Sequence, residues 1–377
     1  MAVVHPIWGR NIHQYPCSYT LGSLVPELTA QSVLNSANTE AFGRAHDIIV
    51  LISKVGEEAD PSKAKLMAQS ISLEMLQSVL AAASFRTSFS ALAEPRLVRG
   101  CIRIMSTVAL DTGSSASPFS YEYGYVCFCI LTIAFGLCFV GHSLDTIFRA
   151  SDTKLKHRHP LVILAESVAS TAGMNVHLSA TMHYRNLTDQ TTSVIAPREG
   201  LLLFNMLWGD RKLFLKAMVS TYVPGLSGVM HLLWQLWRVG RANSTDYDLL
   251  LGVPLYEVLR RCYLGVTRDQ DRALTALISD TQCMADLWLH RSTVLDAEDS
   301  KTLLQGYIRR VTSPEIWHGG ISVTSVSSVL EFVVRFAQQG AVEMFPPVFA
   351  TTIRFLWNEA NSNEQVQGDE VGNLEIA

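Results

Sequence analysis

One segment of the 377-residue chain restricts its folding more than any other. The 22 residues from Tyr123 to Leu144 contain no Asp, Glu, Lys or Arg, and the only side chain among them that titrates near neutral pH is His142. A helix that is apolar on all sides must be shielded from water, either by other helices of the chain or by a lipid bilayer. How this segment is buried is therefore the first question that the sequence raises.

The composition indicates a folded chain with a large core. Hydrophobic residues make up 48% of the chain, charged residues 17%, and the mean hydropathy is +0.20, which argues against extensive disorder. A net charge of −4 without a long basic patch excludes the electrostatic footprint of a nucleic-acid binder. The seven cysteines contain no CxxC pair, so we expect free thiols in a reducing compartment. The N-terminal residues lack a basic region followed by an apolar core, and we expect no secretory signal.

The spacing of prolines and apolar residues predicts an all-α chain. Proline favours the first position of a helix, because its missing N–H has no intrahelical partner there. Asp60, Ser117 and Ser313 each precede a proline and are predicted N-caps. Period-two alternation is rare and no Asn-Gly or Asp-Gly hairpin turn occurs. Runs of apolar residues three or four apart follow Pro26, Pro61, Pro95, Pro118, Pro160, Pro254, Pro314 and Pro347.

The distances between these prolines are often in the thirties, which is the size of a two-helix unit in a helical solenoid. No side-chain signature recurs at that period, although the succession of helices at this spacing resembles degenerate armadillo or HEAT packing. We predict an irregular antiparallel helical array of this kind around a fully apolar central helix near residues 118–140, with a large helical bundle as the alternative.

The chain is predicted to form one all-α domain over residues 21–358, and a subdivision near 185–198 is left open. Residues 1–20 are predicted to be a poorly ordered N-terminal arm. Residues 359–377 are polar and acidic, without Lys or Arg, and are predicted to be a disordered tail.

A membrane span at residues 123–144 is the alternative to a buried core helix. About 20 apolar residues cross a bilayer, and Tyr121 and Tyr125 suit one interface. Arg149 and Lys154 flank the other end and would place it in the cytoplasm. That orientation requires about 120 preceding residues to cross the membrane without a signal, so a core helix surrounded by amphipathic neighbours is the favoured prediction.

The tripeptide Asp111-Thr112-Gly113, preceded by apolar residues, resembles the active-site loop of the pepsin-like aspartic proteases. That mechanism needs a second such carboxylate, because the two share one proton to activate water. Asp145, Asp152 and Asp280 are each followed by Thr, but none of them by Thr-Gly. The protease fold is almost wholly β, whereas both flanks here are helical, so we predict a polar loop between two helices.

Other polar motifs are incomplete. Glu315 and His318 have the spacing used in di-iron bundles, which need a second such motif and two more carboxylates. His318-Gly319-Gly320 resembles an oxyanion-hole loop, but no G-x-S-x-G elbow accompanies it. Pro224-Gly225-Leu226-Ser227-Gly228 is one residue short of that elbow, and we predict that Ser227 caps a helix.

The histidines and tryptophans also favour structural roles. His157 and His159 lie in a basic loop without further metal ligands, and the spacing of His177 and His183 does not place them on one helix face. A set of tryptophans could line a ligand groove, but helical spacing of this kind is more often core. This set comprises Trp234, Trp237 and Trp288.

No complete catalytic, cofactor-binding or metal-binding set is found, and we predict no such residue. The best hypothesis from sequence is a non-enzymatic cytoplasmic α-helical scaffold whose partner is another protein and not a nucleic acid. The alternative is a membrane-attached protein with a single transmembrane helix at residues 123–144.

Overall fold

The computed structural model describes residues 4–25, 37–111, 117–141, 158–181, 194–244, 246–290, 296–313 and 322–374. The regular structure of these residues is helical, and the isolated bridges His5–Gly9 and Asn11–Tyr121 belong to no strand. The all-α prediction is confirmed, whereas its solenoid detail stays a prediction.

Fourteen helices of nine residues or more are described. In chain order they are α1 (Ala37–Glu57), α2 (Pro61–Gln69), α3 (Leu73–Ala82), α4 (Pro95–Asp111), α5 (Glu122–Val140), α6 (Pro160–Thr181), α7 (Pro197–Gly209), α8 (Arg211–Ser220), α9 (Leu226–Asn243), α10 (Val253–Gly265), α11 (Arg268–Asp280), α12 (Ala297–Thr312), α13 (Val323–Val334) and α14 (Phe345–Leu374). Short turns lie between some of these helices, including a π-helical turn at Asp248–Gly252 and a 3-10 turn at Gln339–Met344.

The helix ends follow local sequence signals. The Asp60 carboxylate accepts the Ser62 N–H at 2.8 Å at the start of α2, and Asp210 caps α8 in the same way. Ser117 caps a 3-10 turn at Pro118–Ser120, directly before α5. The predicted Ser227 cap is wrong, because Ser227 is the second residue of α9 and its Oγ makes no hydrogen bond.

Helix α5 lies at the centre of the molecule. All of its residues except Cys138 and Phe139 are buried, and α3, α4, α6 and α9 pack around it. It is the one described helix with the length and apolar composition of a membrane span, with a mean hydropathy of 2.1, and 89% of the span is buried inside the protein. Gly141 ends it with a φ of 50° and donates its N–H to Leu137 O at 3.0 Å. The location of the protein in the cell stays a prediction.

The N-terminal segment packs against the first turn of α5 through the buried carboxylate of Glu122. This carboxylate accepts hydrogen bonds from Arg10 Nε at 2.8 Å, Tyr19 Oη at 2.7 Å and Gln77 Nε2 at 3.0 Å. Burial opposes ionisation, but the hydrogen bonds from Arg10 and Tyr19 outweigh it and lower the pKa of Glu122. The rings of Trp8 and Tyr15 are also buried in this region. The prediction of a poorly ordered N-terminal arm does not include these contacts.

One cluster of buried residues extends from Trp8 in the N-terminal segment to Val348 in α14. Helices that are distant in sequence share this core: α6 packs against α11, and α8 packs against both α10 and α12. The last layer consists of α12, α13 and α14, and this layer positions the surface described below.

Candidate interaction surface

Four charged side chains are buried together between α8, α10 and α12. Glu257 Oε1 accepts hydrogen bonds from Arg211 Nε and Arg261 Nε, both at 2.9 Å. Arg261 also makes a bidentate pair with Asp299, at 2.7 and 2.8 Å. The remaining Glu257 oxygen accepts the Trp288 indole N–H at 3.1 Å. Two positive and two negative charges are thus matched within the group.

This arrangement indicates a structural role, in which the ion pairs hold α8, α10 and α12 together, and not a reactive site. A catalytic carboxylate needs an oxygen that can reach a substrate, whereas both oxygens of Glu257 are occupied and 1% of its side chain is exposed. Within the described residues, no group of three or more His, Cys, Asp or Glu side chains is arranged to hold a metal ion.

The other motifs singled out in the sequence do not assemble into a site in the described part of the chain. Asp111 ends α4, and residues 112–116 lie outside the described residues, as do 142–157, 182–193 and 314–321 with the motifs that they carry. His159 is buried, and its Nδ1 accepts the Leu161 N–H at 3.3 Å at the start of α6. Burial lowers the pKa of His159. His177 lies on α6, away from this turn.

The three tryptophans are core residues and do not line one shared groove. Each is buried and donates its indole N–H to a different carboxylate. The pairs are Trp234 with Asp280 at 2.8 Å, Trp237 with Asp248 at 3.0 Å, and Trp288 with Glu257 at 3.1 Å. The core interpretation is the one that these contacts support.

Two concave regions of the described residues are further candidates for a ligand site. A groove of about 990 Å³ runs along α4 between α2 and α7. The polar groups of its floor are bonded to the backbone: Ser106 donates to Arg103 O, Thr107 donates to Ile104 O, and Arg103 donates to Val55 O. A cavity of about 140 Å³ between α7 and α9 is lined mainly by apolar side chains. The lining of the cavity contains no acidic or basic side chain. The groove is lined by charged side chains, but its carboxylates Glu58 and Glu199 accept the backbone N–H groups of Asp60 and Ala196.

One face of the C-terminal helix α14 is fixed to the protein. Val348 and Thr351 are buried, and Phe355 packs against the core. The Thr352 hydroxyl lies 2.7 Å from the Tyr307 hydroxyl of α12 and also donates to Val348 O at 2.9 Å. Before the helix, Lys301 of α12 pairs with Glu343 at 2.5 Å, which lowers the pKa of that carboxyl.

The opposite face of α14 is also apolar, and it is open to solvent. Four large side chains on this face are strongly exposed: Phe349 by 64%, Ile353 by 64%, Leu356 by 44% and Trp357 by 67%. The exposed residues Pro346, Ala350 and Ala360 extend it at both ends and along one edge. We call these seven residues the α14 stripe.

The spacing of the stripe is that of a helix-pairing seam. Positions 346, 349, 353, 356 and 360 are alternately three and four apart, which keeps them in line along about four turns of helix. Charged residues are absent from these positions, and the exposed Arg354 lies beside the stripe. A stripe at this period faces a partner helix in coiled coils.

The stripe is large for an exposed patch. An aromatic side chain has roughly 150–250 Å² of surface, so Phe349 and Trp357 together leave roughly 250 Å² in water. With Ile353 and Leu356 the exposed area reaches roughly 500 Å², near the upper end of the largest patches on soluble monomers. Patches of this size commonly mark interaction sites.

The second apolar face of α14 is not among the features predicted above, although its helix is. The sequence does contain an indication of this second face. Between Phe345 and Asn361 the only charged residues are Arg354 and Glu359, so apolar residues occur on nearly every side of the helix. Comparisons of the chain with protein-family models, curated proteins and solved structures find no match. The geometry of the stripe is therefore the basis for a functional proposal.

Proposed function

We propose that the chain is a protein-binding module whose docking surface is the α14 stripe. The observation that carries the proposal is the exposure of Phe349, Ile353, Leu356 and Trp357 on one face of a helix whose other face is anchored. An apolar helix face is normally covered, and exposed patches of this kind commonly mark protein interaction sites, so we propose that another protein surface covers this one.

The magnitudes favour association. Removing roughly 500 Å² of apolar surface from water is worth roughly 12 kcal/mol before costs. Association costs roughly 4–15 kcal/mol in lost freedom of motion, and a partner surface that is buried at the same time adds a gain of similar size. The stripe is carried by a fixed helix, so little further ordering is needed when it binds.

The composition of the stripe also favours binding. Trp and Phe are enriched at the centres of protein interfaces, and Trp is among the residues that most often dominate their binding energy. We expect Trp357, at 67% exposure, to be the largest single contributor. A cytoplasmic location is part of the proposal, and the exposed free thiols of Cys17 and Cys283 are compatible with a reducing compartment.

Quantitative co-purification tests the proposal. Tagged wild-type chain is compared with the triple variant Phe349→Ser, Ile353→Ser, Trp357→Ser and with a control, Leu66→Ser, which removes a 70% exposed leucine from α2. A partner recovered with both wild type and control is then purified and titrated. The triple variant is expected to weaken its binding by at least about 100-fold. Equal binding of that partner to all three chains would contradict the proposal.

A further inference from the structure

We infer that the partner of the α14 stripe is a second copy of this chain, in a two-fold antiparallel pairing of α14 with α14. This inference rests on the proposed function and specifies what occupies its surface. It follows from the sizes of the side chains along the stripe, from the position of its charges and from the area available.

The side-chain sizes along the stripe complement themselves when the direction is reversed. With a two-fold axis between residues 354 and 355, Ile353 lies opposite Leu356 of the second copy, and Phe349 lies opposite Ala360. The phenyl ring at one end thus meets the small side chain of an alanine at the other, and two branched aliphatic residues meet at the centre. Residues spaced alternately three and four apart occupy the a and d positions of a heptad, and their pairing between two helices is the knobs-into-holes arrangement of coiled coils. A two-fold interface requires this kind of self-complementarity.

The charges do not oppose the pairing. The core positions 346, 349, 353, 356 and 360 are uncharged, so the pairing buries no ionic group. Arg354 lies at the edge of the stripe, where its guanidinium can remain in water.

The area is that of a weak dimer. Two copies together bury at most roughly 1,000 Å² from the four large side chains of each stripe, with a further contribution from Pro346, Ala350 and Ala360. Specific interfaces bury roughly 1,200–2,000 Å² in total, so the paired stripes lie near the lower limit for a specific interface. We therefore expect a dimer that dissociates on dilution.

A charge-swap experiment on the full chain tests the inference. Sedimentation velocity over about 1–100 µM measures the mass of the wild type, of Ile353→Glu, of Leu356→Lys and of an equimolar mixture of the two variants. Wild type is expected at twice the 41.7 kDa chain mass at the upper concentrations. Each variant alone buries unpaired charges and should associate at least about 100-fold more weakly. In the mixture the carboxylate introduced at position 353 lies opposite the ammonium introduced at position 356 of the second copy, so a dimer should be recovered.

Control measurements distinguish loss of the dimer interface from unspecific effects of an added charge or of misfolding. Leu66→Glu, a charge at a similarly exposed leucine on α2, should leave the wild-type dimer unchanged. Far-ultraviolet circular dichroism should be the same for all chains, because Ile353 is 64% exposed, Leu356 is 44% exposed and neither belongs to the buried core. In a parallel pairing residue 353 meets residue 353, so mixing would not recover the dimer, and this result would overturn the antiparallel arrangement.

The remaining outcomes separate this inference from the proposed function. A wild-type chain that stays monomeric at about 100 µM overturns the second-copy inference, but the stripe-dependent binding of a different protein would still support the docking function. A dimer that Ile353→Glu and Leu356→Lys leave intact overturns the inference as well, since it must use another surface. Loss of stripe-dependent binding in both experiments overturns both claims.

Discussion

The hydroxyl groups of Tyr307 and Thr352 lie 2.7 Å apart across the contact between α12 and α14. Burial raises the pKa of Tyr307, so the phenol stays protonated, and it donates to Thr352, whose own hydroxyl proton goes to Val348 O. The contact fixes the rotation of α14 about its own axis. Val348, Thr351 and Phe355 then face the protein, and the α14 stripe faces outward. The proposed docking surface depends on this orientation.

The two faces of α14 should differ in their effect on stability. Val348→Ala removes buried methyl groups and leaves a cavity, and we expect it to lower the free energy of unfolding by about 2 kcal/mol. Ile353→Ala alters an exposed side chain and should change it by less than about 0.5 kcal/mol. Urea unfolding of both variants, at a concentration where the chain is monomeric, measures the difference. Equal losses would show that α14 is rotated differently.

The buried ionic group should be sensitive to the loss of one charge. Glu257→Gln leaves Arg211 and Arg261 with less compensation in a buried setting, and we expect a loss of about 3–5 kcal/mol in unfolding free energy. Lys212→Ala is the control, because Lys212 pairs with Asp296 and Glu298 at the surface and should cost at most about 1 kcal/mol. Similar losses for the two variants would contradict the structural role of the group.

His231 should make the protein sensitive to acid. Its ring is fully buried against Phe139 and Trp234, neither nitrogen makes a hydrogen bond, and burial lowers its pKa to about 3. Between about pH 6.5 and 3 the unfolded chain binds a proton that the folded chain does not. Stability should therefore fall as the pH falls, by about 1.4 kcal/mol per pH unit from this residue.

The His231→Phe variant tests this dependence. Urea unfolding at several pH values between about 7 and 4.5 should give a slope that is about 1 kcal/mol per pH unit shallower than that of the wild type. The matched control His46→Phe changes an exposed histidine on α1 and should keep the wild-type slope. Full acid dependence in both variants would show that His231 is not the group responsible.

The N-terminal segment should be held by Glu122. Glu122→Ala removes the acceptor for Arg10, Tyr19 and Gln77, so amide hydrogen exchange in residues 8–19 should become at least about tenfold faster. Exchange in α13 should be unchanged and serves as the internal reference. Fast exchange of residues 8–19 already in the wild type would instead support the predicted poorly ordered arm.

Much of the helical framework can be predicted from sequence, because its signals are local. Proline and capping residues place the starts of α2, α4 and α6, and Gly141 ends α5 where the sequence indicates. The sequence predicts a helix over Val323–Gln339, and α13 begins at Val323 and ends at Val334. The apolar spacing predicts a helix over Pro160–Ser170, whereas α6 extends to Thr181, because several residues of its second half, such as Ala172 and Val176, are buried by tertiary packing.

The proposed docking surface could not be predicted in the same way. Whether Val348 or Ile353 faces solvent depends on where Tyr307 lies in space, and these two residues follow Tyr307 by 41 and 46 positions in the chain. Local periodicity shows that α14 is apolar on two faces, but only the packing of α12 decides which face is covered. The buried ionic group could not be predicted either, because Arg211, Glu257 and Asp299 come from three separate helices.

The central claim is that another protein covers the α14 stripe, and site-specific photo-crosslinking in the cell tests it most directly. A photoreactive amino acid replaces Ala350 at the edge of the stripe, and the control carries it at Leu66, an exposed position on α2. We predict a discrete adduct from position 350 that is absent from position 66 and is lost when Ile353→Ser and Trp357→Ser are added. An adduct of twice the chain mass would identify a second copy, and any other mass a different protein. The absence of any adduct from position 350 above the control would contradict the claim.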